Sequence, residues 1–316
     1  MVLISGDFCM KRLSGLMGVV LFFAAIFTPL NSSGADAPLK LTPMPINTEM
    51  DEDDPLFVPS LSTVYPARFY FSRKNEKGKY SIFFSKFLKK TSKWSNPETI
   101  GAYVDTEADD RSCFLTEEGK FPQTIIYATK KDKLNNNFDL FRSFRDQPGK
   151  DMEDRAFNPG KPLLALATET DEMHPWLSKD QMSLYFSRKT KEGWQQMVAK
   201  RVKGTGTEGN FDAPEPLKDI PIGFHHASIT PLGNLMFLEG IADDGRLEIY
   251  SCTKTLNGGW SKPIAVANLK DSTGKIGTKS PSLSRDGLKL YFASDRAGGQ
   301  GGLDIYSATV LDLKLK

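Results

Sequence analysis

One unit recurs five times along this 316-residue chain, and it leaves few folds open. Its clearest copy runs Ser280-Pro281-Ser282-Leu283-Ser284-Arg285-Asp286-Gly287, then Leu288-Lys289-Leu290-Tyr291-Phe292-Ala293-Ser294, then a Gly-rich turn, then Leu303-Asp304-Ile305-Tyr306-Ser307. The pattern is strand, turn, strand, turn, strand. Asp286-Gly287 supplies the positive-φ residue of a tight hairpin, and Gly298-Gly299 with Gly301-Gly302 serves the second turn. A second clear copy starts at His174-Pro175-Trp176-Leu177 and passes through Leu184-Tyr185-Phe186-Ser187-Arg188. With Pro55, Cys113, Pro175, Ala227 and Pro281 in one column, the steps between units are 58, 62, 52 and 54 residues.

A fourth element follows each third strand but the last: Trp94 to Ile100, Phe157-Asn158-Pro159, Phe211 to Leu217, and Trp260 to Ile264. All contain proline, which cannot donate to a central ladder, so they read as edge strands. The fifth unit runs out at Lys316, yet Leu41-Thr42-Pro43-Met44-Pro45-Ile46 resembles the missing piece. The spacing therefore predicts an all-β, five-bladed β-propeller, preferred to six blades, with an N-terminal strand completing the last blade. A β-sandwich also has short strands and frequent turns, but it does not predict a repeating four-strand unit. Tyr70, Tyr127, Tyr185 and Tyr291, one per unit in the second strand, are expected in the core between blades.

The first thirty-five residues stand apart. Lys11 and Arg12 precede an uncharged apolar run from Leu13 to Phe27, and small residues follow at Ser33 and Ala35. This reads as a signal peptide over 1–35 and a single propeller domain over 36–316, with a periplasmic or secreted product. Its only membrane contact would be through the export signal. Without Asp7, Lys11 and Arg12 the formal charge falls from +2 to +1, which argues against a nucleic-acid partner. Cys113 and Cys252 fall in different units and on different strands, so no bridge between them is expected.

The segment from Ser280 to Arg296 resembles the TolB-type repeat, the Pro-Asp relative of the tryptophan-aspartate propeller repeat. The fifth unit matches it closely, the third well, and the others in outline. The resemblance implies a propeller and an extracytoplasmic habitat; it implies no reaction.

Thr48-Glu49-Met50-Asp51-Glu52, Thr106-Glu107-Ala108-Asp109-Asp110 and Thr168-Glu169-Thr170-Asp171-Glu172 precede the first strands of three units. The fourth and fifth units carry Phe224-His225-His226 and Thr278-Lys279 there instead. Because first strands line the channel of a propeller, these loops should meet at one mouth. Asp110, Asp171, His174, His225 and His226 are thus candidate ligand-binding residues, with Ca²⁺ or Zn²⁺ as the cations such a set could hold. Asp51, Asp109 and Glu172 are candidates for acid and base work on a glycosidic bond. Repetition favours a structural role for the acidic loops, since a catalytic group is needed once and a loop-fixing group in every blade. The leading expectation is a monomeric, non-catalytic module for a protein or glycan partner; the alternative is a carbohydrate-active enzyme, glycosidase or lyase, using the acidic mouth.

Overall fold

The computed structural model describes residues 39–131, 136–147, 155–206, 209–271 and 273–315, so the leader read at 1–35 lies outside the described residues. The strands form five small antiparallel sheets. Blade 1 holds Glu52–Val58, Arg68–Lys74, Tyr80–Leu88 and the short edge pieces Lys93–Trp94 and Glu98–Thr99. Blade 2 holds Asp110–Leu115, Gln123–Thr129, Asp139–Arg145 and Lys161–Pro162, and blade 3 holds Glu172–Leu177, Ser183–Lys189, Trp194–Lys200 and Glu215–Pro216. Blade 4 is built of His225–Ile229, Leu235–Ile241, Leu247–Thr253 and Ile264–Ala265; blade 5 of Thr278–Leu283, Lys289–Ser294, Asp304–Thr309 and, from the other end of the chain, Thr42–Pro43. Inner strands of consecutive blades lie side by side, and the fifth lies beside the first, so the ring is a closed five-bladed propeller.

The closure is built as the sequence predicts. Thr42 pairs with Ser307 and Pro43 with Tyr306, while the Met44 amide donates to Ile305 O at 2.8 Å. Asn47 then brackets the same residue, its Nδ2 donating to Ile305 O and its Oδ1 accepting the Ile305 amide. Met44 and Ile46 are buried with Phe69 and Phe71 of blade 1 and with Tyr291 and Ile305 of blade 5. This core, separate from the main one, cements the joint.

Two details of the repeat differ from expectation. In blade 2 the edge strand is Lys161–Pro162, beyond the predicted Phe157-Asn158-Pro159, although the Asn158 amide still bonds Phe144 O. Tyr127 is buried as expected, but it is one residue out of register: Tyr70, Tyr185 and Tyr291 oppose Leu56, Trp176 and Ser282, whereas Ile126 opposes Phe114. A one-residue offset moves a side chain to the other sheet face, so Tyr127 belongs with Phe71, Phe186 and Phe292. Cys113 and Cys252 are free and buried.

Two clamps fix the far end of the channel, where inner strands finish. Arg285 of blade 5 crosses the axis to donate to Leu115 O of blade 2, its guanidinium 4.1 Å above Phe114 and 5.9 Å from Trp176. Glu118, on the hairpin loop of blade 2, is 1% exposed and takes Arg68 Nη1 at 3.3 Å, Arg145 Nη2 at 2.9 Å and the Tyr70 hydroxyl at 2.8 Å. Its own amide donates to Pro59 O and its carbonyl accepts the Leu61 amide, so blades 1 and 2 are tied here by side chain and backbone together.

Candidate functional site

The repeated acidic loops turn inward on themselves. Glu52, Asp110 and Glu172 open their inner strands, and each accepts from the backbone and hydroxyl of the threonine four residues earlier, Thr48, Thr106 and Thr168. Arg73 and Arg188, at the ends of second strands, donate to Glu52 and Glu172 at 2.8 Å and to the loop carbonyls of Ile46 and Leu166. The aspartate just before each strand reaches the preceding blade: Asp51 accepts from the Leu303 amide, Asp109 from Tyr80 and Asp171 from Phe138. The donor is the first residue of that blade's third strand (Tyr80) or the one just before it (Leu303, Phe138), so the motif staples one blade to the next.

Blades 4 and 5 lack the motif and are joined to the blade before by Gly223 N donating to Trp194 O and Leu247 N to Ile276 O, with Lys270 Nζ on Glu248 Oε1 at 2.6 Å at the second junction. Asp51, Asp109 and Glu172, the acid and base candidates, are thus engaged by loop amides and by Lys74 or Arg188, and Asp110 and Asp171 by loop and blade amides. Asp105, in the loop beside Thr106, has a buried Oδ1 without a hydrogen-bond partner, and burial pushes its carboxyl up to about 6. The folded state therefore holds this proton more tightly than the unfolded chain does, and stability falls as pH rises from about 4 through about 6. The gap in unfolding free energy between wild type and Asp105→Asn should change by about 1–2 kcal/mol across that window, measured by urea denaturation at both ends.

The side chains that converge on the axis come from the next two positions of each inner strand. All five strands are bulged there, and the central residue has positive φ in every blade: Asp54 (50°), Ser112 (51°), His174 (54°), His226 (55°) and Ser280 (54°). Proline follows in three blades, at a point where the ladder is broken and its missing N–H costs nothing. The bulge amides find acceptors on the preceding blade: Ser112 N donates to Ser72 Oγ, His226 N to Ser187 Oγ and Ser280 N to Glu239 Oε2. Ser72, Ser187 and Glu239 occupy one column of the second strands, so Glu239 is a carboxylate where two other blades have a hydroxyl.

Around this ring the charges are paired at short range. Asp53 takes Lys279 Nζ at 2.5 Å, Ser280 Oγ at 2.6 Å and Arg111 Nη2 at 2.8 Å, while Asp54 Oδ2 takes Ser72 Oγ at 3.0 Å and Arg111 Nε at 3.1 Å. Burial pushes the Asp53 carboxyl up, but Lys279 and Arg111 outweigh it and hold it below the usual carboxylate range. Glu239 is likewise buried, yet Lys279 and His225 keep it well below its ordinary value. His225 Nε2 lies 3.3 Å from Glu239 Oε1 and its ring stacks on Trp194, 5.2 Å between centroids. His174 and His226 stack face to face at 3.9 Å, and burial together with the two neighbouring histidines pushes His174 well below the usual imidazole value, so it is neutral. Tyr80 lies under Arg111 at 3.9 Å. Beside these groups, on the axis, is a water-sized cavity of about 20 Å³, lined by Asp54, Ser112, His174, His226 and the residues after them.

Of the sequence-derived candidates, the three histidines come together and the acidic residues of the loops do not join them. Asp53, Asp54, Arg111, Glu239 and Lys279 were not singled out. For all but Glu239 the signal is present as variation: beside the Pro55 column the five units read Asp-Asp, Arg-Ser, Met-His, His-His and Lys-Ser. In a repeat, positions that differ from copy to copy while neighbours stay constant are the ones released from structural duty.

No family model matches the sequence, and no curated protein aligns with it. Solved structures do resemble it in fold. An α-L-arabinofuranosidase from Podospora anserina, PaAbf62A, in complex with cellotriose superposes with a TM-score of 0.56 at 11% identity, over 87% of this chain and 98% of that one. A GH43_1 enzyme from Xanthomonas citri complexed with xylose gives 0.56 at 11% identity, over 86% and 90%. TolB from Acinetobacter baumannii aligns at 0.48 and 13% identity, over 83% of this chain and 55% of that one. At such identities the likeness is one of architecture, and the repeat type rests on the residues quoted above.

Proposed function

We propose that this chain is a carbohydrate-active enzyme, exported from the cytoplasm, that works at the histidine end of its axial channel. The observation that carries the reading is that the polar residues repeated from blade to blade are spent on staples, whereas those that occur once are gathered on the axis. Burying such charges is expensive even when they are paired, so a site that keeps three carboxylates and two cations is retained for what it does. Support also comes from the neighbours: an α-L-arabinofuranosidase and a GH43_1 enzyme match over 98% and 90% of their chains. A binding module needs no such buried constellation.

Asp54 is the carboxylate placed to act. Asp53 and Glu239 have both oxygens committed to neighbours, but Asp54 Oδ1 has no hydrogen-bond partner and borders the cavity. Such an oxygen can take the proton of a water directed at an anomeric carbon. Arg111 and Lys279 hold the carboxylates in place, and half-exposed Trp194 and Tyr80 offer faces for a sugar ring. The test is incubation of the purified protein with arabinoxylan, arabinan and xylo-oligosaccharides. Sugar release is expected, with kcat/KM lowered about 100-fold or more in Asp54→Asn. Binding of these glycans without turnover, or full activity in that variant, would overturn the proposal.

A further inference from the structure

We infer that the axial cavity is a site for a first-row divalent metal ion, ligated by Asp54, His174 and His226. One ligand atom from each lies within 4.8 Å of the others. Two of the three residues also carry buried polar atoms with no hydrogen-bond partner, Asp54 Oδ1 and His226 Nδ1, and Asp54 is only 4% exposed. An orphaned buried carboxylate oxygen is costly, and a cation removes that cost.

The support behind His174 points the same way. Its Nδ1 is 3.1 Å from Ser187 Oγ, which also accepts the His226 amide at 2.9 Å. A hydroxyl oxygen has two lone pairs and can take both donors; in that tautomer His174 carries its proton on Nδ1 and offers a bare lone pair on Nε2. That nitrogen faces Asp54 Oδ1 at 3.9 Å. A histidine held by its far nitrogen in this way is oriented as a ligand.

Charge agrees: Asp53, Asp54 and Glu239 face Arg111 and Lys279, three carboxylates against two cations. Two imidazoles and a single carboxylate suit Zn²⁺ or Mn²⁺ better than Ca²⁺, which takes six to eight oxygens. His225 is not a ligand; its Nε2 is turned to Glu239 and its ring lies on Trp194. A metal sits in the plane of each ring that binds it, and the planes of His174 and His226 are 12° apart in a stack, so one of them turns about its Cβ–Cγ bond as the ion enters. Asp54 Oδ1 would hold the ion, and the ion would then supply the activation of water assigned above to that oxygen. The site goes beyond the glycoside reading and is measured with no sugar in solution, so either can fail alone.

The experiment is calorimetric titration of the chelator-stripped full chain with ZnCl₂, MnCl₂ and CaCl₂, with thermal melts alongside. One Zn²⁺ or Mn²⁺ per chain is expected at a Kd below about 1 μM, with a rise in Tm at saturation. Asp54→Asn and His174→Gln should each weaken binding about 100-fold, and Ser187→Ala, which removes no ligand atom, about 10-fold. Circular dichroism establishes that each variant is folded, and Ser187→Ala serves if the ligand variants are not. Absence of uptake by the wild type, tighter binding of Ca²⁺ than of Zn²⁺, or wild-type affinity in folded ligand variants would overturn the assignment.

Discussion

Deleting the chain up to Asn47 should cost the propeller at least about 5 kcal/mol, on the order of the whole stability of a typical domain. Its described residues, 39–47, make the joint between the two ends of the ring. Met44 and Ile46, 7% and 3% exposed, form the core of the joint between blades 5 and 1, and burying two such side chains contributes about 1.5–3 kcal/mol each. Added to them are the Met44 amide bond, the two Asn47 bonds to Ile305 and the Arg73 bond to Ile46 O, each worth about 1 kcal/mol net. Their loss also bares the Asp304–Thr309 edge, so self-association is expected with unfolding. Urea unfolding followed by near-ultraviolet circular dichroism measures the loss, and a truncated chain whose midpoint matches the parent would refute the account of closure. Supplying residues 39–47 as a free peptide should recover part of the loss.

Glu118→Ala should destabilise the fold by about 3–5 kcal/mol, the usual consequence of removing one partner from a buried ionic cluster. Arg68, Arg145 and the Tyr70 hydroxyl each lose an acceptor in a place that water does not reach, since Glu118, Arg68 and Tyr70 are each 1% exposed. Burial first, and then the charge of Glu118, pushes the Tyr70 phenol up out of its ordinary range. A fall in the urea midpoint with an unchanged slope is the expected signature. Glu118→Gln keeps the shape and two acceptor positions, and should recover only part of the loss because the charge is what the two guanidinium groups require. A loss under about 1 kcal/mol in the alanine variant would mean that the backbone bonds of this loop suffice.

The fold was legible because its period is long and its punctuation is strong. Pro55, Pro175 and Pro281 mark the bulge in three units and Asp286-Gly287 the turn in the fifth, and the missing fourth strand of unit five could be found by its likeness to residues 41–46. The site was legible only in part. The histidines stand out because there are three in the chain, while Asp53 and Asp54 sit directly after an acidic motif that repeats for structural reasons and are hidden by it. Glu239 carries no local mark at all; its place opposite His225 depends on strand register, and its contact with the Ser280 amide joins residues 41 apart. The one-residue displacement of Tyr127 has the same origin, since pairing across strands is not written in the spacing within one strand.

The left-handed residue shared by all five inner strands has a bearing on how such a molecule can change. Because the main chain adopts the same posture whether the side chain there is aspartate, serine or histidine, the backbone is indifferent to the occupant, and the amide is anchored by the neighbouring blade in three of the five cases. Chemistry at the axis can therefore be exchanged one seat at a time, by single substitutions at Ser112 or Ser280, without a loop being rebuilt. A family of propellers on this plan would diversify around its axis as a turret changes lenses, and a glycine at any seat, free of the cost that L residues meet at positive φ, would leave that station blank and the ring intact.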